Sequence, residues 1–383
     1  MPYFREFGRI DNIGFMNAVP QKCLYCDFPS FARKDHLRKA YIEALNKEII
    51  SLREKYNNLE INTIFIGGGT PSVLEADELE CLLKEVAKLN MAKDIEYSME
   101  CNPGNLTEEK LEVMKNYGVN RISIGLQAKQ DNLLKGLGRI HNYKTFKENF
   151  LLAKKVGFNN INVDLMFGLP NQRLNEWEET LREIISLEPA HISAYSLIIE
   201  EGTAFYNLYE NDKLKLPTEE EERKMYHLAK KILEENGFNQ YEISNYAKEG
   251  KECRHNLAYW NMDNWIGVGS AAASYINGKR IKNISSVEEY INSINEKGEA
   301  VEEIINNSKN DNMEEFMFMG LRKINGIDEN EFKKRFSMNI NDVYGEILNK
   351  YIDEGLLIRD SGRIFLSEKG IEISNIIMAD FLL

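Results

Sequence analysis

The chain has 383 residues and a mass of 44.3 kDa, more than one comfortable core holds, so a large domain plus a smaller one is expected and a lone small module is excluded. With 43% hydrophobic residues, 28% charged residues and only 8 Pro, the composition is globular rather than disordered or fibrous. Lys and Arg number 48 against 61 Asp and Glu, and the net charge of −13 repels phosphate backbones and anionic head groups, so no nucleic acid partner is expected. No apolar run reaches the roughly 20 residues that span a bilayer. The start MPYFREFGRIDNIGF lacks the basic and then apolar pattern of a signal peptide. The expectation is a cytoplasmic protein with no integral membrane segment. Five cysteines, an odd number, argue against a disulfide framework and leave metal binding or burial as their uses.

In chain order, an early strand is expected near Ile10 to Phe15, followed by the loop that carries Cys23 and Cys26. From about residue 60 to residue 200 a short apolar run and an amphipathic helical stretch alternate. The runs are Asn62 to Ile66, Ile95 to Glu100, Arg121 to Leu126, Asn160 to Phe167 and His191 to Ile198, largely apolar and without clean alternation, as for parallel strands covered on both sides. Between them, Asp77 to Leu89 places Leu79, Leu82, Leu83 and Val86 at helical spacing, with Cys81 taken as core on the same face. Six βα units suggest an open barrel, although a doubly wound sheet fits the same pattern. A charged helix, Thr218 to Asn236, and a less regular stretch, Gln240 to Ile281, come next. Val301 to Asp311 reads as an acidic linker, and the remainder combines helices with one β pair around Leu357 to Leu366, a winged-helix-like layout. From Asp311 onward 9 basic residues face 14 acidic ones, so an interaction or capping module is favoured over a DNA-binding one. The expected divisions are a barrel over 1–210, a barrel extension over 211–300 and a C-terminal domain over 301–383.

Glycine and polar residues cluster just after the strands, in GGGTPS from Gly67, ECNPGN from Glu100, GLQA from Gly125 and GLP from Gly168. The carboxyl ends of parallel strands carry the ligand site, so this clustering is a functional signal. Cys23 and Cys26, three apart, let two thiolates converge on one zinc or iron-sulfur site; a redox dithiol or two unconnected cysteines fit the same spacing. The glycine run lets backbone approach a ligand closely, and by itself it is as often only a tight turn.

The ordered series KCLYCDF, GGGTPS, ECNPG, RISIGLQ, LGRIH, DLMFGLPNQ and HISAYSLIIEEGT resembles the radical S-adenosylmethionine (SAM) proteins related to oxygen-independent coproporphyrinogen III oxidase, from about Gln21 to the C-terminus. Within that family HNLAYW, His255 to Trp260, looks like the HNxxYW signature of the haem chaperone branch, which the short stretch before the cluster motif also favours. The resemblance implies an α/β fold, a partial (βα)6 barrel, with SAM, a [4Fe-4S] cluster and haem as cofactors or cargo. Cys23 and Cys26 match the second and third cluster ligands, but Val19 stands at the first and cannot coordinate a metal. A natural loss of the cluster, a remote substitute ligand and an altered reading of the N-terminal coding sequence all stay open. Gly69, Thr70, Glu100, Gln127, Arg139 and Asp164 match polar positions around SAM, and Tyr25 an aromatic near its adenine; for each, a rim ion pair or turn is the plainer alternative.

His255 is the candidate axial ligand to haem iron, against a hydrogen-bonded structural His in a rim loop. Cys253 is a second candidate, with nothing local to lower its pKa, and Cys101, at a strand end, a candidate replacement cluster ligand. Ala273 departs from the family, whose haem-chaperone members often have His there. The expected function is binding of haem and its transfer to a recipient haemoprotein. The rival is radical oxidative decarboxylation of coproporphyrinogen III, and a DNA-binding regulator is disfavoured by charge.

Overall fold

The structure, a computed structural model, describes residues 9–14, 23–26 and 35–383. The apolar runs of the first half form parallel strands: β1 (Arg9–Gly14), β2 (Ile61–Ile66), β3 (Met91–Cys101), β4 (Arg121–Gln127), β5 (Asn160–Phe167) and β6 (His191–Ser196). They lie side by side in sequence order. That order decides between the two expected architectures. A doubly wound sheet reverses strand order part-way, whereas uninterrupted sequential crossovers of one hand put every connecting helix on the same face and curl the sheet into an open barrel. Beyond β6 the short strands β7 (Asn239–Glu242) and β8 (Asn245–Ala247) continue the sheet antiparallel, and β9 (Ile266–Gly269) continues it parallel beyond β1. β1 ends at Gly14, and Phe15 and Val19 lie outside the described residues.

The expectation of unalternating apolar strands is corrected. Ile122, Ile124 and Leu126 of β4 are buried in the helix-covered core, while Arg121, Ser123, Gly125 and Gln127 line the lumen. β5 does the same, with Ile161, Val163 and Leu165 in the core and Asn162, Asp164 and Met166 in the lumen. An open barrel keeps a polar interior for a ligand, so period-2 alternation survives in its parallel strands.

The helix after β2 spans Ala76–Val86 and buries Leu79, Leu82, Leu83 and Val86. Cys81 is exposed, contrary to expectation, because two residues from Leu79 at about 100° each place it on the far side of the helix. The charged helix spans Glu219–Glu235, and Thr218 and Glu221 close its first turn as a reciprocal cap. The irregular stretch holds a short helix, Arg254–Trp260, and the hairpin of β10 (Ala273–Ile276) and β11 (Lys279–Asn283).

Val301 to Asp311 is not a linker. Its first half is β12 (Val301–Asn306), antiparallel to β11, and a helix, Lys309–Gly320, starts behind the Ser308 cap. The acids that suggested a linker are the exposed charges of an edge strand, where they discourage further pairing. The C-terminal part adds β13 (Ile327–Asp328), β14 (Leu357–Asp360) and β15 (Arg363–Leu366) to a helical bundle in winged-helix-like fashion. Its core around Phe332, Tyr344 and Phe381 also takes in Met262, Trp265 and Tyr275. Among the described residues no helix is long and apolar enough to cross a membrane.

Candidate functional site

A cavity of about 540 Å³ fills the open barrel, and of the described residues singled out above for the cluster, for SAM or for haem, all but Cys253 and Ala273 line it. The cavity has a rim at the carboxyl ends of the strands and a floor deeper in the lumen.

At the rim, Cys23 and Cys26 are half-buried and joined by a turn in which the Cys26 amide donates to the Cys23 carbonyl at 3.2 Å. Leu24 anchors that turn, donating from its amide to Leu137 and accepting from the amide of Phe205. Arg139 donates to the Tyr25 hydroxyl at 2.6 Å and to Asn102 Oδ1 at 3.1 Å, and Asn102 donates in turn to Thr70 Oγ1 at 2.9 Å. Burial pushes the Tyr25 hydroxyl up to about 12 against the pull of Arg139, so this phenol stays neutral.

Glu100 ends β3 beside the glycine loop. The Gly68 amide, in a left-handed conformation (φ 83°), donates to its Oε2 at 3.2 Å. A Cβ on Gly67 would lie 2.7 Å from the Glu100 carboxyl carbon, so only glycine lets that carboxyl reach the loop. Burial, then the nearby Asp164 charge, pushes the Glu100 carboxyl up to about 7. Gln127 has φ 78° at a register shift between β4 and β5, a strained backbone of the kind held at ligand sites. Asp164 accepts from Ser123 at 2.9 Å and from Asn162 at 2.7 Å, which holds both of its oxygens.

The floor is built on the Arg254 helix, whose amino end points at Glu96. The amides of Arg254 and His255 donate to the two Glu96 oxygens at 2.9 and 3.0 Å, an arrangement that satisfies otherwise orphaned helix donors. His255 therefore sits in a helix inside the lumen, not in a rim loop. Its Nδ1 lies 2.9 Å from Thr63 Oγ1, its ring stacks on Phe65 at 5.3 Å, and the edge of Tyr259 meets it at 5.5 Å.

A neutral relay joins floor to rim. His191 Nδ1 lies 2.6 Å from Asn162 Oδ1 and therefore donates, which leaves Nε2 to accept from the Tyr241 hydroxyl at 2.8 Å. Burial and then Arg121 hold the His191 pKa well below the usual range. Tyr241 also accepts from the Cys253 amide. The sequence reading missed Glu96, Arg121, Asn162, His191 and Tyr241; the signal for the strand residues among them was the alternation of polar with apolar side chains.

Three candidates fall away from the cavity or from a ligand role. Cys253 is fully buried against Glu96, and burial pushes its thiol up to about 12. Cys101 lines the cavity but is buried, its thiol raised by burial and by Glu100. Among the described residues no group of three or more His, Cys, Asp or Glu side chains is placed to hold a metal, so neither cysteine completes a set with Cys23 and Cys26. Two thiols fall short of the three protein ligands a [4Fe-4S] cluster takes, whereas the polar rim fits a zwitterionic, hydroxyl-rich ligand such as SAM. Ala273 is exposed at the start of β10, away from the residues that line the cavity.

The sequence matches the radical SAM superfamily over residues 14–184 and the HemN C-terminal domain over residues 307–373. It is 37% identical to the heme chaperone HemW of Bacillus subtilis over 94% of this chain and 96% of that one. It is also 40% identical to the heme chaperone HemW of Escherichia coli over 66% of each chain. The chain belongs to the heme chaperone HemW family of the radical SAM superfamily. Its fold is that of coproporphyrinogen III oxidase (HemN) from Escherichia coli, a radical SAM enzyme, with a TM-score of 0.84 over 99% of this chain and 90% of that one at 20% identity. Membership of the superfamily implies SAM and a [4Fe-4S] cluster.

Proposed function

We propose that the chain binds SAM at the rim and haem at the floor, and passes the haem to a recipient haemoprotein. In this reading Glu100 and Asp164 accept from the amino group or ribose hydroxyls of SAM, Arg139 pairs with its carboxylate, and Gly69, Thr70 and Gln127 close around it. Cys23 and Cys26 would hold an incomplete cluster, because Val19 stands at the first of the three ligand positions. The observation that carries the haem reading is the setting of His255. Histidines that ligate metal are commonly oriented by a hydrogen bond on the other ring nitrogen, and here Thr63 takes Nδ1 while the ring borders the cavity. Phe65 and Tyr259 supply aromatic faces for a porphyrin, and the HemW name of the relatives points to the same cargo.

Titration of the anaerobically purified chain with haem tests this. His255→Ala should shift the haem absorption bands and weaken affinity about tenfold or more, as loss of a ligand or buried polar contact does. Cys23→Ala with Cys26→Ala should leave the titration nearly unchanged. If the cysteine pair abolishes binding and His255→Ala does nothing, His255 is structural and the haem reading is wrong.

A further inference from the structure

Arg121 opens β4 and turns its side chain onto the floor of the cavity, only 2% exposed. Its Nε has no hydrogen-bond partner, and the guanidinium makes no hydrogen bond or ion pair among the described residues. Glu96 and Asp164 stand within electrostatic range and, against burial, hold the guanidinium charged, but the hydrogen bonds of the nearby acidic groups go elsewhere. Glu96 takes the amides of Arg254 and His255, Asp164 takes Ser123 and Asn162, and the Tyr241 hydroxyl is bonded to His191 and Cys253. The Cys253 thiol is protonated. The other buried guanidinium of the cavity, Arg139, is by contrast bonded to Tyr25 and Asn102.

A buried guanidinium without a hydrogen-bond partner leaves its donors unsatisfied at a cost, and its persistence at a cavity wall points to a ligand that supplies the acceptor. The chemistry of that ligand follows from the fork. Guanidinium donors in one plane match the two oxygens of a carboxylate. The depth follows from the strand, because Arg121 lies four residues, about 13 Å, below the Gly125 level at which Arg139 works. It therefore serves a different part of the ligand set from the rim, on the same floor as His255, with Glu96 between them.

We propose that Arg121 receives a carboxylate of the ligand held at His255, which on the reading above, and resting on it, is a propionate of the porphyrin. An iron ligand and a carboxylate fork on one floor fix both the centre and one edge of a planar cargo. Release to a recipient then requires that the propionate leave the fork as well as that the iron leave the imidazole.

The test compares haem with haem dimethyl ester, which keeps the iron and ring but lacks the carboxylates. The unmodified chain should bind haem about tenfold to a hundredfold more tightly than the ester, the range of a charge-assisted hydrogen bond. Arg121→Gln should bind both forms alike at the level of the ester, and Arg121→Lys should keep part of the preference. Equal affinity of the unmodified chain for both forms, or a preference that persists in Arg121→Gln, overturns the proposal and leaves the guanidinium to water. Binding of neither form defeats the haem reading, and with it this proposal, whereas equal binding of both forms defeats this proposal alone.

Discussion

Rim and floor of the one cavity are built on opposite principles. The rim is loop backbone at strand ends: a glycine run, a left-handed Gln127 and a turn around Leu24 bring polar groups to a ligand, and its side chains bond one another from Tyr25 through Arg139 and Asn102 to Thr70. The floor is strand interior closed by a helix, where Glu96 holds the amino end of the Arg254 helix and His191 and Tyr241 brace it from the side. A rim of this kind adapts to a ligand that comes and goes, whereas the floor is a fixed socket whose geometry depends on a few buried bonds. The two ends are therefore expected to fail separately.

The largest effect that tests this separation is at Glu96. Glu96→Ala leaves the amides of Arg254 and His255 without acceptors in a buried place, and each such loss costs about 1–3 kcal/mol, so stability should fall by roughly 3 kcal/mol in urea unfolding. Haem binding should fall with it because His255 loses its anchor, while SAM binding in the folded variant should stay within about twofold, a few tenths of a kcal/mol. Glu96→Gln keeps one acceptor and should lose about half as much. Equal losses of haem and SAM binding would show that the cavity is one cooperative unit and that the comparison is mistaken.

The rim was legible in the sequence and most of the floor was not, for a physical reason. Rim residues sit in loops where glycine and polar clusters stand out, so Gly69, Thr70, Glu100, Gln127, Arg139 and Asp164 were singled out, and all line the cavity. Floor residues sit inside strands, where Arg121 in RISIGLQ and His191 in HISAYS pass as ends of apolar runs unless their period of two is read as a wet lumen. His255 was singled out only through its motif, and its bond to Thr63 joins segments 192 residues apart. The strands themselves were placed to within a few residues, whereas β12 was lost because an edge strand and a linker carry the same surface charges. Cys81 was misplaced by one helical step, the margin that separates core from solvent on an amphipathic helix.

A smaller effect sharpens the rim. The Glu100 carboxyl is raised to about 7, so the folded chain binds a proton that the unfolded chain has released at pH 6. Stability from this group is therefore fully present below the unfolded carboxyl value of about 4.3 and is lost as pH rises through about 7. Glu100→Gln should remove that dependence, so that the variant gains on the unmodified chain between pH 5 and pH 8 by about 1–3 kcal/mol, measured as urea midpoints without ligand. SAM, a cation at its sulfonium and amino groups, should favour the ionised carboxylate and bind more tightly at pH 8 than at pH 6 in the unmodified chain alone. A pH profile shared by chain and variant would place the titration elsewhere.

The smallest effect concerns how the C-terminal module meets the floor. Besides the shared apolar core, polar contacts join them at the surface and beneath it. On the surface, Lys230 pairs with Glu368 at 2.5 Å and His227 with Glu372 at 2.9 Å, across the barrel helix Glu219–Glu235. Beneath, Arg322 lies 4.5 Å from the centre of the Trp260 ring, its carbonyl accepts from the Ile243 amide, and the Ile324 amide donates to the carbonyl of Tyr241, the same residue that braces the Arg254 helix. Exposed ion pairs are worth about 1 kcal/mol or less because water and salt screen them, while buried backbone bonds keep their strength. The double change Lys230→Ala with Glu368→Ala should therefore lower stability by less than about 1 kcal/mol and leave the haem spectrum unchanged. If it instead loosens the module enough to alter the spectrum, the floor depends on surface charge and its description as a fixed, internally bonded socket fails.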